Sequence, residues 1–219
     1  MQGFLKQFKK NFYTTGALLP SGKPLARELT RYLAPANRQP VRILEAGPGT
    51  GAISRMIAKL MIPGDTLDAV EVNPTFAHAI RDLIATDMDF GLRREQIRVI
   101  QADLLSLTRA SDPASDYDLI ICSLPFNNFD PVLVSKIFQT MEGLLKPGGR
   151  LTYFEYWAIR TLKSIFVGSK TRLRLKAIGR RTNQIRQRMG ATTRLIVANF
   201  PPALVHHLVK PIVAQIRPF

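Results

Sequence analysis

The residues whose spacing carries the most chemistry are Glu45-Ala-Gly47-Pro-Gly49-Thr-Gly51, Glu71 and Asp103. Three alternating glycines between a short apolar run and a helical pattern let the backbone turn tightly and approach a ligand without Cβ collisions. Glu71 follows Gly51 by 20 residues, at the end of the next apolar run. A carboxylate there can accept both hydroxyl protons of an adenosine ribose. Asp103 lies just past a third run, where an adenine edge would come. This is the chemistry of nucleotide capture. The spacing Gly47-x-Gly49-x-x-Ala52 also satisfies the dinucleotide fingerprint, so the glycines alone leave a nicotinamide cofactor open. Glu45 weighs against it, because a carboxylate beside a pyrophosphate is repelled, whereas it suits a ligand bearing an ammonium group.

A second cluster, Ser123-Leu124-Pro125-Phe126-Asn127-Asn128-Phe129, follows the fourth apolar run, where an acceptor substrate would enter.

These residues need a frame that brings strand ends together, and the pattern from residue 41 supplies one. Short apolar runs at 41–45, 66–72, 96–101, 117–123 and 150–156 read as buried strands. Helical spacing at 51–61, 74–84 and 131–145 alternates with them, stopped by Pro63-Gly64 and by Lys146-Pro-Gly-Gly149. Two closing strands are expected at 192–198 and 203–209, after a basic, loosely helical stretch at 158–190. The expectation is an α/β, Rossmann-like, doubly wound sheet of seven mostly parallel strands, preceded by an amphipathic N-terminal helix.

The 219 residues suit one domain with a proper core, and 46% hydrophobic against 21% charged residues excludes a disordered chain. We expect a single domain: 1–40 a membrane-binding helix and cofactor-capping segment, 41–157 the nucleotide-binding core, 158–219 a basic substrate-side segment with the closing strands. Cys122 is the only cysteine, which excludes an internal disulfide and fits a reducing compartment. No apolar run is long enough to span a bilayer. No metal-ligand spacing occurs.

Charge is strongly segregated. Residues 1–40 carry seven bases and one acid, residues 41–155 eleven and fifteen, and residues 156–219 thirteen and none, giving the net +15. Basic ends around an acidic middle imply a polyanionic partner, either an anionic membrane surface or a nucleic acid. On a helical wheel, Met1, Phe4, Leu5, Phe8 and Phe12 fill an arc of about 100° while Lys6, Lys9 and Lys10 take the other side, the geometry of a helix lying in a membrane interface.

The glycine loop with Glu45, Glu71 and Asp103 resembles the class I S-adenosylmethionine-dependent methyltransferases. That resemblance implies S-adenosylmethionine as cofactor and S-adenosylhomocysteine as product. It puts the glycine loop (Gly47, Gly49, Gly51) under the methionine part, Glu71 with Val72 at the ribose, Asp103 with Leu104 at the adenine, and Ser123 at the edge of the pocket. Glu45 would order the loop or reach the amino group through water. The string Leu124-Pro125-Phe126-Asn127-Asn128-Phe129 resembles the hallmark of the bacterial phospholipid N-methyltransferases. Ser123 departs from the Asn or Asp that opens the related signature of amino-methylating nucleic-acid enzymes. The segment Tyr13-Thr-Thr-Gly16-Ala17 resembles one that closes over the cofactor, which implies Tyr13, Gly16 and Ala17 near the methionine end. Residues 158–190 have no counterpart in that resemblance.

The reaction so implied moves a methyl group to the amine of phosphatidylethanolamine and its methylated intermediates, toward phosphatidylcholine, on a cytoplasmic protein held peripherally on the inner face of the membrane. Positioning dominates such a transfer, because the sulfonium is already activated. Tyr13, Leu124, Pro125, Phe126 and Asn127 are the candidates at the reacting amine, and no general base is nominated. Aromatic faces suit a growing methylammonium, for which Tyr13, Phe126, Tyr153, Tyr156 and Trp157 are candidates. Arg180, Arg181, Arg194 and His206 are candidates for the lipid phosphate. Phe4, Leu5, Lys6, Phe8, Lys9, Lys10 and Phe12 form the membrane-binding face. The competing expectations are an RNA adenine N-methyltransferase using the same loop, and a non-enzymatic lipid- or RNA-binding module.

Overall fold

The computed structural model describes residues 22–108, 116–156, 169–199 and 201–212. Seven strands form one sheet: β1 Arg42–Ala46, β2 Thr66–Glu71, β3 Ile97–Gln101, β4 Tyr117–Cys122, β5 Leu145–Tyr156, β6 Thr192–Ile196 and β7 Ala203–Val209. Their spatial order is β3-β2-β1-β4-β5-β7-β6. The first five run parallel, and β7 inserts antiparallel between β5 and β6. This is the expected Rossmann-like sheet. Among the described residues, five helices flank it: α1 Lys23–Leu29, α2 Ala52–Leu60, α3 Pro74–Thr86, α4 Pro131–Leu144 and α5 Ser169–Arg188.

The strands are apolar on both sides because both faces are covered. Leu44, Ala46, Val70, Ile120, Cys122, Leu151 and Tyr153 pack under α4 and α5. Ile43, Leu67, Leu119, Ile121 and Val205 pack under α1 and α2. Helix starts follow the sequence closely. Asn73 Oδ1 accepts from the Thr75 amide at 2.9 Å and Asp130 Oδ1 from the Val132 amide at 2.8 Å, each with proline in the first turn. The strand order reverses between β1 and β4, so a crevice opens at their carboxyl ends, the switch point where such sheets bind ligands.

Five elements differ most from the sequence expectation. Helix α1 was not anticipated. Helix α3 runs two residues past 84, to Thr86. Strand β5 starts at Leu145, paired with Tyr117 before a register shift, so Lys146-Pro-Gly-Gly149 lies inside the strand rather than ahead of it. Strand β6 ends at Ile196, and the basic stretch resolves into the 20-residue α5. Helix α5 carries eight bases and no acid, and buries Leu175, Ile178 and Thr182.

Candidate active site

The glycine loop is pinned to both neighbouring strands. The Gly47 amide donates to the Val70 carbonyl of β2 at 2.9 Å, and the Ser123 amide donates to the Ala46 carbonyl of β1 at 2.9 Å. Gly47, Gly49 and Gly51 have φ of +74°, +55° and +80°, a region L side chains avoid. The three glycines answer different needs. A Cβ on Gly47 would lie 2.7 Å from Leu124 Cδ2, and one on Gly51 would lie 2.5 Å from Leu83 Cδ2. A Cβ on Gly49 would meet nothing within 4 Å. Gly47 and Gly51 are glycines because the protein packs against them; Gly49 faces open space, as the floor of a ligand cradle does.

Two carboxylates stand behind this loop. Glu71 accepts from the Gly49 amide through Oε2 at 3.2 Å and from the Asn73 amide through Oε1 at 2.9 Å. It is held at the carboxyl end of β2, and burial pushes its carboxyl above the usual range despite these bonds. Glu45 is fully buried, with Oε2 accepting from the Ser54 hydroxyl at 2.7 Å. Burial raises its carboxyl to about 7; the Ser54 bond opposes this and the Glu71 charge adds to it. Its other oxygen, Oε1, has no partner among the described residues, and neither does the buried Ser123 hydroxyl. Unpaired buried polar atoms are costly and call for a partner beyond the described residues. They flank the glycine loop at the ends of β1 and β4, so the crevice fits a ligand with polar hydrogens, an ammonium among them.

Asp103 is half-buried beyond β3 and accepts from the Leu105 amide at 3.0 Å, which fixes the turn holding Leu104. Val72 is half-buried beside Glu71. The sequence-predicted cofactor residues from Glu45 to Ser123 therefore gather at one edge of the sheet. Gly16 and Ala17 lie outside the described residues, as do Tyr13, Trp157 and the expected membrane-binding residues from Phe4 to Phe12.

On the acceptor side, the Leu124–Phe129 loop makes a tight turn. The Asn128 amide donates to the Pro125 carbonyl at 2.9 Å, and that of Phe129 to the Phe126 carbonyl at 3.1 Å. Phe126 is only 3% exposed, stacked on Phe138 at 4.8 Å and edge-on to Tyr153 at 5.6 Å. It anchors the loop to the core, leaving Pro125 and Asn127 half-buried at the surface of the turn. Leu124, packed against Gly47, joins the acceptor loop to the cofactor loop.

The candidate substrate residues do not form one group. Tyr153 is fully buried on the α4–α5 face, and Tyr156, three residues on, lies on the opposite face against Phe154 at 5.2 Å. His206 is buried beside Tyr153, with Nδ1 2.8 Å from the Thr193 hydroxyl. Arg180 and Arg181 are exposed on α5, and Arg194 is exposed on β6, 3.5 Å from Glu28.

The sequence reading missed Ser54, the partner of Glu45, and Arg186. The Arg186 guanidinium donates to the Tyr153 hydroxyl at 3.1 Å and lies 3.3 Å from His206 Nε2 and 3.5 Å from Glu155. It ties α5 to β5 and β7 beneath Phe126. Its signal was its position: it follows Ile185 on the Leu175, Ile178, Thr182, Met189 side of an otherwise solvated basic helix.

Residues 43–149 match a family described as a methyltransferase domain. An ornithine lipid N-methyltransferase of Singulisphaera acidiphila is 28% identical over 148 residues, covering 67% of this chain and 72% of that protein. The O-methyltransferase TomG of Streptomyces achromogenes, solved in complex with S-adenosylmethionine, superposes with a TM-score of 0.62 at 15% identity, over 94% of this chain and 86% of that one. Cofactor-bound Rv0187 from MTB gives the same TM-score at 16% identity, over 96% and 91%. The match to the methyltransferase-domain family spans the glycine loop, both buried carboxylates and the acceptor loop, and the chain has the fold of these S-adenosylmethionine-bound methyltransferases.

Proposed function

We propose that the chain methylates the amine of an aminolipid head group at an anionic membrane, phosphatidylethanolamine and its partly methylated forms being the acceptors that lead to phosphatidylcholine. The observation that carries this reading is α5: eight bases and no acid on a helix packed against α4 and the acceptor turn. Such a wall attracts an anionic surface and repels none of its lipids. The printed activity of the Singulisphaera relative, N-methylation of an ornithine lipid, is of the same class. The N-terminal segment is favourably rooted for membrane contact as well. The Gly22 amide donates to Asn199 Oδ1 at 3.1 Å, and Asn199 sits in the turn between β6 and β7, at the edge where the crevice opens.

When bound, S-adenosylmethionine supplies a methyl group already activated on sulfur. Glu71 holds the loop through Gly49 and presents its carboxylate to the ribose hydroxyls. Glu45 offers a buried negative charge to the ammonium. Leu124 and Phe126 fix the acceptor turn, so the amine is positioned rather than chemically activated. The attacking amine must be neutral, and desolvation at the half-buried turn lowers its pKa.

The Glu45 environment predicts a proton release. With the buried carboxyl raised to about 7, it is largely protonated at pH 6 in the free enzyme. An ammonium-bearing ligand favours the ionised form, so binding expels a proton at pH 6 and none at pH 8. Calorimetry in two buffers of different ionisation heat reads this directly. Glu45→Gln should abolish the release; equal proton counts at both pH values in the wild type would refute it.

For the N-terminal helix, Phe4→Glu or Phe8→Glu should release the protein from anionic vesicles in a sedimentation assay. Burying one such ring is worth roughly 2 kcal/mol, or about 30-fold in partitioning. Unchanged pelleting would remove that helix from the docking face.

The function itself is tested by offering purified enzyme a labelled methyl donor with phosphatidylethanolamine vesicles, ornithine lipid vesicles or RNA. Label in phosphatidylethanolamine is expected. Label in ornithine lipid alone would change the head group and keep the reading; label in RNA alone would overturn it.

A further inference from the structure

We propose that the turn between β6 and β7, together with the first turns of α5, is a second membrane-docking element: Leu173, Leu195 and Val197 enter the interface of an anionic phospholipid bilayer and set the crevice mouth against it. This rests on the lipid reading above and adds to it a contact face separate from the N-terminal helix.

Leu173 is 67% exposed, Leu195 47% and Val197 71%. Single exposed apolar residues are ordinary, so their placement decides. Strand β7 pairs antiparallel with β5, Ala203 opposite Tyr156, so the β6–β7 turn lies at the carboxyl end of β5, on the crevice side. Leu195 and Val197 flank the start of that turn, with Ile196 opposite Ala203. Helix α5 begins after β5 has reached the same edge, and finishes at the other: the Val209 amide donates to the Met189 carbonyl at 3.1 Å, with Val209 opposite Arg150. Leu173, in the first turns, therefore belongs to the crevice edge. Elements separate in sequence bring apolar side chains to one rim.

Charge then selects the occupant. All three residues lie within 156–219, which holds thirteen bases and no acid, and Arg194 beside Leu195 is half exposed. Met88 and Leu92 are also exposed, but they lie between α3 and β3 near the opposite edge, away from the crevice mouth, and among charges of both signs, with Asp87 and Asp89 paired to Arg55 and Lys59. Val132 is next to the exposed Asp130. Ile212 packs beside Gly148, also at the opposite edge. Apolar side chains in a stretch of chain rich in cations, with Arg194 held against Glu28 of α1, are the composition of an interfacial element. The Gly22–Asn199 bond adds continuity, since it ties the first described residue to this same turn.

Cys122 is buried, so a thiol-reactive environment-sensitive dye attached to the Val197→Cys variant reports on that position alone. Adding vesicles of phosphatidylethanolamine with anionic phospholipid should raise and blue-shift its emission, and brominated acyl chains should quench it. The Leu173→Glu/Val197→Glu variant should partition at least about tenfold more weakly onto these vesicles and lose a like factor in vesicle activity. On a short-chain phosphatidylethanolamine dispersed as monomers its rate should equal the wild type, which also shows that it folds. A dye that stays in water while the wild type methylates vesicle lipid would overturn the docking element and leave the lipid reading intact. A wild type that methylates lipid in neither form would overturn the reading and the element with it.

Discussion

Gly49→Ala leaves a folded protein that binds S-adenosylmethionine about 10- to 100-fold more weakly. At φ +55° alanine costs about 1 kcal/mol, a shift of a few degrees in melting temperature for a chain of this size. Its Cβ touches no protein atom within 4 Å, so there is no clash to add. The methyl group projects instead into the open crevice, where we place the ligand and where overpacking would cost about 1–3 kcal/mol. Gly51→Ala reverses the pattern. The same backbone penalty is joined by contacts of 2.5 Å with Leu83 and 2.9 Å with Ile80, so the fold loses about 2–5 kcal/mol, about 4–20 °C in melting temperature. Thermal melts and calorimetric titrations on the two variants separate the effects. Equal destabilisation with equal affinity would contradict the assignment of Gly49 to the ligand side.

Glu71→Ala is expected to reduce S-adenosylmethionine affinity by 100-fold or more. Bonds to a charged acceptor contribute about 1.5–3 kcal/mol each, and two ribose hydroxyls would lose theirs. The Gly49 and Asn73 amides also lose their acceptor, so the cradle loosens. The apo fold should suffer less than the count of lost bonds implies, because burial already disfavours the charged carboxyl at this position. Glu71→Gln, which keeps one acceptor oxygen, should fall between. Wild-type affinity in Glu71→Ala would remove this residue from the site.

The parts of the fold legible in the sequence are those fixed by local chemistry. The strands from β1 to β4 are short apolar runs ended by glycine, acid or polar residues, and α3 and α4 announce themselves by Asn73-Pro74 and Asp130-Pro131. The carboxylates could be found because loop and strand ends set their spacing along the chain. What the sequence hid depends on tertiary contact. Helix α1 has seven residues, too few for a periodic signal, and its Glu28 finds His207 at 2.9 Å only across the fold. Helix α5 reads as polar because its bases outnumber a narrow buried stripe that includes Thr182. Lys146-Pro-Gly-Gly149 reads as a stop, yet Gly148 takes φ +76° and the strand carries on through it. Phe126 could be singled out as an aromatic after a strand, but its burial against Phe138 comes from α4. Arg186 was invisible for the converse reason, a basic residue among basic residues whose partners Tyr153, His206 and Glu155 lie on β5 and β7.

The account stands on the glycine cradle and the carboxylate behind it, and a crystal structure of the enzyme with S-adenosylhomocysteine tests that most directly. The ribose hydroxyls should lie about 3 Å from the Glu71 oxygens, with the methionine part over Gly49 and its ammonium on the Glu45 side. A nucleotide bound elsewhere, with Glu71 touching only the Gly49 and Asn73 amides, would contradict it.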